Sequence, residues 1–140
     1  MKRIYLASAY ETKLQIKQYA RILNACGFTV TSTWHETEEP ASGKQGLGAD
    51  SLNERPELGR PYALQDIADI DAADTLMLFT DGNGRGGRHW ETGYAWANGK
   101  LIVIVGDRQH VFHTLPGIDY YEDFSTLVAN FPVKYPVEES

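Results

Sequence analysis

The chain has one cysteine, Cys26, set in the apolar run ARILNACGF. No disulfide can form within it, and Cys26 reads as a small buried hydrophobe. Basic residues are also few: 13 Lys and Arg stand against 19 Asp and Glu, for a net charge of −6. A protein that wraps a nucleic-acid backbone needs a basic footprint, so nucleic acid is not expected as a partner. Long apolar runs are missing too. TLMLFT at 75–80 and LIVIVG at 101–106 fall well short of the roughly 20 residues that span a bilayer. The apolar part of the opening MKRIYLASAY is too short for a signal peptide. No membrane contact and a cytoplasmic location are the expectation. The four histidines, His35, His89, His110 and His113, lack the paired spacing of a zinc site, and no cysteine pair completes one. Neither a metal nor another cofactor is expected. There is no internal repeat and no low-complexity tract.

What remains is ordinary for a globular protein: 140 residues, 42% hydrophobic and 23% charged, enough for a single domain with its own core and too little for two. KRIYLA at 2–7 reads as a buried strand, and the segment from Glu11 to Cys26 carries Leu14, Ile16, Tyr19, Ala20, Ile22 and Leu23 at helical spacing, closed by Gly27. FTVTST at 28–33 alternates apolar and hydroxyl side chains as a second strand would. Residues 34–60 show no period and are rich in Gly, Pro, Ser and acidic groups, the composition of a long loop that serves as a lid or is flexible. Pro61 opens a helix with Leu64, Ile67, Ala68 and Ile70 as its expected apolar stripe. The strand TLMLFT follows, then the glycine-rich turn DGNGRGG, a helix over 88–98 stopped by Gly99, and the strand LIVIVG. A short edge strand at IDYY and a helix around DFSTLVANF come last, and the proline-broken tail 132–140 is expected to be loose.

Alternating strands and helices with short crossovers predict an α/β fold: a Rossmann- or flavodoxin-like parallel sheet of four to five strands with helices on both faces. In such a fold the helix amino termini gather at the carboxyl edge of the sheet, where ligands bind. Asp66 stands in the first turns of the helix before TLMLFT and Glu91 in the first turns of the helix after it, so the two face one crevice. A helix amino terminus favours negative charge by about 0.3–1 kcal/mol, which keeps Glu91 ionised as a nucleophile or electrostatic anchor. The plainer alternative is that Glu91 complements the helix dipole and Asp66 sits in a solvated turn. Gly82, Gly84, Gly86 and Gly87 let backbone amides approach a ligand, although the turn has neither the dinucleotide fingerprint nor a P-loop lysine.

IYLAS in the first strand, DIADIDAADTLMLFT, and GGRHWETGYAWANGKLIVIVG together resemble the nucleoside 2-deoxyribosyltransferase family and its N-glycosidase relatives. Residues 34–60 and the carboxyl-terminal tail lie outside the resemblance. It implies cleavage of an N-glycosidic bond of a 2′-deoxynucleoside, with Glu91 as nucleophile, Asp66 contacting the sugar and managing protons, and Tyr5 positioning the nucleophile. Read alone, Tyr5 is equally a core tyrosine with a satisfied hydroxyl. Transfer to a second base and hydrolysis both remain open, the latter on 2′-deoxynucleoside 5′-monophosphates. The family places an acidic residue before the nucleophile to read the base; here Asp81 is in a shifted position and Arg85 stands nearer. Arg85, Arg88, Gly87 and Ser8 would suit a 5′-phosphate or 5′-hydroxyl, or are a solvated pair of arginines, a turn glycine and a turn serine. The family also takes a polar residue for the sugar's 5′ end from a neighbouring subunit, which points to Gln109 or His110 and to a homo-oligomer, dimer or higher, consistent with Trp96 and Phe112 lying outside the core pattern. Trp34 is the first candidate for stacking on a base, against a core role. A ribonucleotide hydrolase and a non-catalytic nucleotide-binding module on the same scaffold are the other readings.

Overall fold

A computed structural model describes residues 2–37, 49–84 and 86–137. Five parallel strands form one sheet in the order β2-β1-β3-β4-β5: β1 Arg3–Ala7, β2 Thr29–Val30, β3 Thr75–Phe79, β4 Leu101–Val105 and β5 Asp119–Tyr121. The helices are α1 Lys13–Ala25, α2 Ala49–Glu54, α3 Arg60–Asp71, α4 Gly87–Ala97 and α5 Phe124–Lys134. The expected α/β fold is therefore present. No described helix is long and apolar enough to cross a membrane.

The central strands are apolar without alternation because helices cover both faces of the sheet. All of β3 is buried, as are Ile4 to Ala7 of β1 and Ile102 to Val105 of β4. Tyr5 pairs with Leu76, and Leu76 with Ile102, so the three strands share one core layer. The chain leaves β1 toward β2 on one side and crosses to β3, β4 and β5 on the other. The strand order reverses between β1 and β3, and a crevice opens there at the carboxyl edge.

The second strand is shorter than 28–33, and its hydroxyl residues explain why. After the amide of Thr31 donates to the Ile4 carbonyl at 2.8 Å, side chains take over from ladder bonds. Ser32 Oγ accepts the Leu6 amide at 3.1 Å, and Thr33 donates to Asp69 Oδ2 from its amide at 3.1 Å and its hydroxyl at 2.6 Å. Trp34 then folds back and donates its indole N–H to the Leu6 carbonyl at 2.8 Å. His35 is buried beside it, with Nε2 2.7 Å from Ser32 Oγ and Nδ1 3.1 Å from Glu36 Oε1.

Helix α3 departs from its expected stripe. Leu64 is 60% exposed and Ala68 is also exposed, while Asp66, Asp69 and Ile70 are buried. Asp69 is buried because it anchors Thr33 and accepts the Gln65 amide at 2.9 Å; a carboxylate with several donors tolerates burial. Residues 34–60 are not wholly irregular, since α2 and a 3₁₀ turn at Pro56–Leu58 form within them; residues 38–48 lie outside the described residues. The tail also differs from expectation. Helix α5 runs through Pro132 to Lys134, Tyr135 packs on Phe131 with ring centres 4.8 Å apart, and Val137 sits over Gly27. Asp123 caps the start of α5 by accepting the Thr126 amide at 2.8 Å. Residues 138–140 lie outside the described residues. Cys26 is half-buried against the core.

Two predictions follow from this packing. Gly106 leaves β4 at φ +109°, and a Cβ there would collide with Thr80 Oγ1, so Gly106→Ala should lower unfolding free energy by more than about 1 kcal/mol; an unchanged urea midpoint would contradict this. Burial lowers the pKa of His35 below its usual 6.5, outweighing the opposite pull of Glu36. The unfolded chain therefore binds the proton first. The stability contribution is complete above about pH 6.5 and is lost as pH falls through the lower folded value. The urea midpoint should drop between about pH 7 and 5, and drop less in His35→Gln; equal drops in both proteins would remove His35 as a source.

Candidate active site

Tyr5 is fully buried in β1, so its hydroxyl needs a partner inside the protein. It finds one across the crevice and donates to Glu91 Oε2 at 2.5 Å. Glu91 reaches this point because Gly86 turns the chain at φ +102° immediately before α4, placing Glu91 in the early turns of the helix, half-buried. Burial first, then the charges of Glu91 and Asp66, push the Tyr5 hydroxyl well above the usual tyrosine range. This favours the protonated phenol, the form that donates to Glu91.

Above this pair lies a pocket of about 680 Å³, of a size that encloses a small organic ligand. Ser8, Tyr10 and Trp34 form the wall at the ends of β1 and β2. Leu52, Tyr62, Asp66 and Ile67 come from α2 and α3. Asn83, Gly84, Gly87, Arg88, Trp90 and Glu91 come from the turn after β3 and from α4. Asp66 and Glu91 thus share one pocket, as their helices predict. The amide of Asn83 donates to the Glu11 carboxylate, joining the loop after β1 to the loop after β3. Ser8 Oγ lies 2.7 Å from Thr12 Oγ1, which itself donates to the Ala9 carbonyl, so Ser8 is the donor of that pair.

Several expected site residues are elsewhere or otherwise engaged. Arg88 lines the pocket, but Nη1 donates to the carbonyls of Phe79 at 2.9 Å and Asp81 at 2.6 Å, and Nη2 to Gly82 at 3.1 Å. It braces the turn after β3, and only its buried Nε has no partner among the described residues. The fork proposed for a phosphate is largely occupied by backbone. Asp81 does not line the pocket; its carboxylate lies toward Gly106 at the end of β4. Arg85 lies outside the described residues. Gln109 and His110 do not line this chain's pocket either: Gln109 Nε2 donates to the Thr80 carbonyl at 3.0 Å, and His110 meets His89. The histidines lack zinc-site spacing along the chain, yet His89, His110 and His113 converge in the fold.

Trp34 contributes a ring edge to the pocket while its N–H is held by the backbone, and Tyr10 stands 6.0 Å from it between ring centres. Trp90, stacked on Tyr94 at 5.6 Å and largely exposed, is a second aromatic wall. Tyr10, Glu11, Tyr62 and Asn83 escaped sequence reasoning. Tyr62 could have been found one turn before Asp66 on the same helix face. The other three come together only through the β1–β3 pairing, which leaves no local pattern.

No family model matches the sequence, and no curated protein does. Among solved structures, a 2-deoxyribosyltransferase from Bacillus psychrosaccharolyticus superposes with a TM-score of 0.64 at 19% identity, covering 99% of this chain and 98% of its own. A CMP N-glycosidase from Clostridium botulinum superposes with a TM-score of 0.54 at 21% identity, over 93% and 98%. Over nearly its whole length, the chain shares the fold of these two enzymes.

Proposed function

We propose that this protein is a member of the nucleoside 2-deoxyribosyltransferase family: an enzyme that cleaves the N-glycosidic bond of a 2′-deoxynucleoside through a covalent glycosyl intermediate on Glu91 and transfers the sugar to another base. The observation that carries this reading is the 2.5 Å hydrogen bond from Tyr5 to Glu91 Oε2 in a pocket that Glu91 shares with Asp66. N-glycoside cleavage passes through an oxocarbenium-like state, which a carboxylate beside the anomeric carbon stabilises and then captures. Tyr5 fixes the rotation of the Glu91 carboxylate, and Oε1 makes the attack. As the bond to the base breaks, its electron pair leaves with the base, which takes up a proton; Asp66 is the second carboxyl group placed to relay it. A second base attacks C1′ through a ring nitrogen and gives up its N–H proton to Asp66, the bond to Glu91 breaks to regenerate the carboxylate, and the transfer is complete. The shared fold supports this reading, as do the exposed Trp96 and Phe112 for a homo-oligomer.

One observation favours a second reading, hydrolysis of 2′-deoxynucleoside 5′-monophosphates. Gly87 and Arg88 at the start of α4 line the pocket, and the Arg88 Nε is buried without a partner among the described residues. A helix amino terminus with an added cationic N–H suits a phosphate. A CMP N-glycosidase has the same fold.

Both readings are tested by incubating the full chain with deoxynucleosides and their 5′-monophosphates, with and without a free acceptor base, and following base release and exchange by chromatography. Exchange that requires the acceptor supports transfer, and release from monophosphates alone supports hydrolysis. Glu91→Ala should reduce turnover by on the order of 10³-fold or more. Tyr5→Phe should lower kcat by about 10- to 100-fold with KM little changed, because positioning acts on the transition state. No turnover of any substrate, or full activity in Glu91→Ala, would leave a nucleotide-binding module as the better account.

A further inference from the structure

Behind α4, away from the pocket, three imidazoles meet. His89 is in the first turn of α4, while His110 and His113 belong to the loop after β4, where a 3₁₀ turn spans Val111–Thr114. One ring nitrogen from each lies within 4.8 Å of the other two. His89 Nδ1 and His110 Nε2 are 3.2 Å apart, and the His110 and His113 ring centres are 3.9 Å apart. His110 is exposed, His89 half-buried, and His113 only 4% exposed. The Nε2 of His113 is buried with no partner among the described residues.

The arrangement is incomplete in its hydrogen bonding. A pair of neutral imidazoles shares one proton in one hydrogen bond, which His89 and His110 can do, but the third ring adds a buried polar atom that this bond does not satisfy. A cation can accept one lone pair from each ring, in exchange for the Gln109 amide bond to His113 Nδ1. In a tetrahedral zinc site the nitrogens lie at about 2.0–2.1 Å from the metal and so about 3.3 Å from one another. The His89–His110 pair already has that spacing. The other separations, up to 4.8 Å, must shorten, and His110 is the exposed ring of the three. Calcium and magnesium select oxygen ligands, of which this trio has none, whereas imidazole suits zinc, nickel, cobalt and copper.

We propose that His89, His110 and His113 form a binding site for one divalent transition-metal ion of the zinc class, with its remaining position open to water. The site is separate from the chemistry proposed for Glu91. His89 and Glu91 are two residues apart, about 200° around the helix axis, and neither His89 nor its two partners line the pocket. A bound ion would tie the first turn of α4, one turn before Glu91, to the loop after β4. Two features oppose tight binding. Arg88 and Arg108 act on His113 as nearby positive charges. His113 Nδ1 accepts the Gln109 amide at 3.0 Å, and this bond is lost whichever nitrogen binds: ligation at Nδ1 takes the lone pair, and ligation at Nε2 moves the ring proton onto Nδ1. The Gln109 amide is therefore a specific reporter.

The test uses the untagged full chain, stripped with a chelator and desalted, then titrated with Zn²⁺ by calorimetry and with Co²⁺ by visible absorption. One ion per chain is expected, with a tetrahedral Co²⁺ spectrum and a shift of the Gln109 amide resonance on adding Zn²⁺. His110→Ala alters only an exposed side chain and should weaken binding by about tenfold or more, as should His89→Ala. Absence of saturable one-to-one uptake, or uptake and a Gln109 resonance unaffected by His110→Ala, would overturn the site. Base release and exchange are read separately, so failure of the metal site and failure of the proposed activity are distinguishable.

Discussion

A phenol in the middle of a central β-strand constrains everything around it. Tyr5 lies between Ile4 and Leu6 in the buried part of a central strand, and the residue is fully buried. A buried polar group without a partner costs of the order of 1–3 kcal/mol, so the fold must bring an acceptor to it. That acceptor is a carboxylate, Glu91, whose own charge is tolerable beside a donor and near a helix amino terminus. The turn at Gly86 and the start of α4 at Gly87 are what bring Glu91 to Tyr5 across the crevice.

Asp66 and Asp69 extend the same logic to the opposite wall. An amphipathic helix ordinarily turns its apolar side inward, but α3 buries two carboxylates and exposes Leu64. Asp69 is held by Thr33 and Gln65 and ties the end of β2 to the helix. Asp66, one turn earlier, stands on the pocket wall. One aspartate organises the scaffold and the other lines the pocket.

The strands and helices were legible where apolar residues ran together, as in IYLA, TLMLF and LIVIV, and where glycine closed a helix, as at Gly27 and Gly99. That Glu91 and Asp66 would face one crevice was legible from the fold class, which puts helix starts at one edge of the sheet, although Asp66 reaches the pocket from the middle of α3. The reading of α3 failed because periodicity measures hydrophobicity and cannot detect a polar residue buried by its hydrogen bonds. The bracing role of Arg88 was hidden for a related reason: composition shows a charge beside glycines, whereas three backbone carbonyls accept from its Nη atoms. Pro132 suggested an end to α5 that Phe131, Tyr135 and Val137 override by packing. The histidine cluster left no trace in spacing, since a helix and a distant loop contribute to it.

The partners Tyr5 and Glu91 are separated by 86 positions along the chain. Between them lie β2, α3 and β3, all of which must be in place before a hydroxyl in β1 can meet a carboxylate in α4. Contacts this distant carry the loop-closure cost of folding and form only with the long-range strand pairing. A chain that had built its first strand, helix and second strand would hold only Ser8, Ala9, Tyr10, Glu11 and Trp34 of the pocket wall and none of its central bond. Competence at this centre is therefore an all-or-none property of the completed sheet, and a partly folded molecule has no weakened version of it.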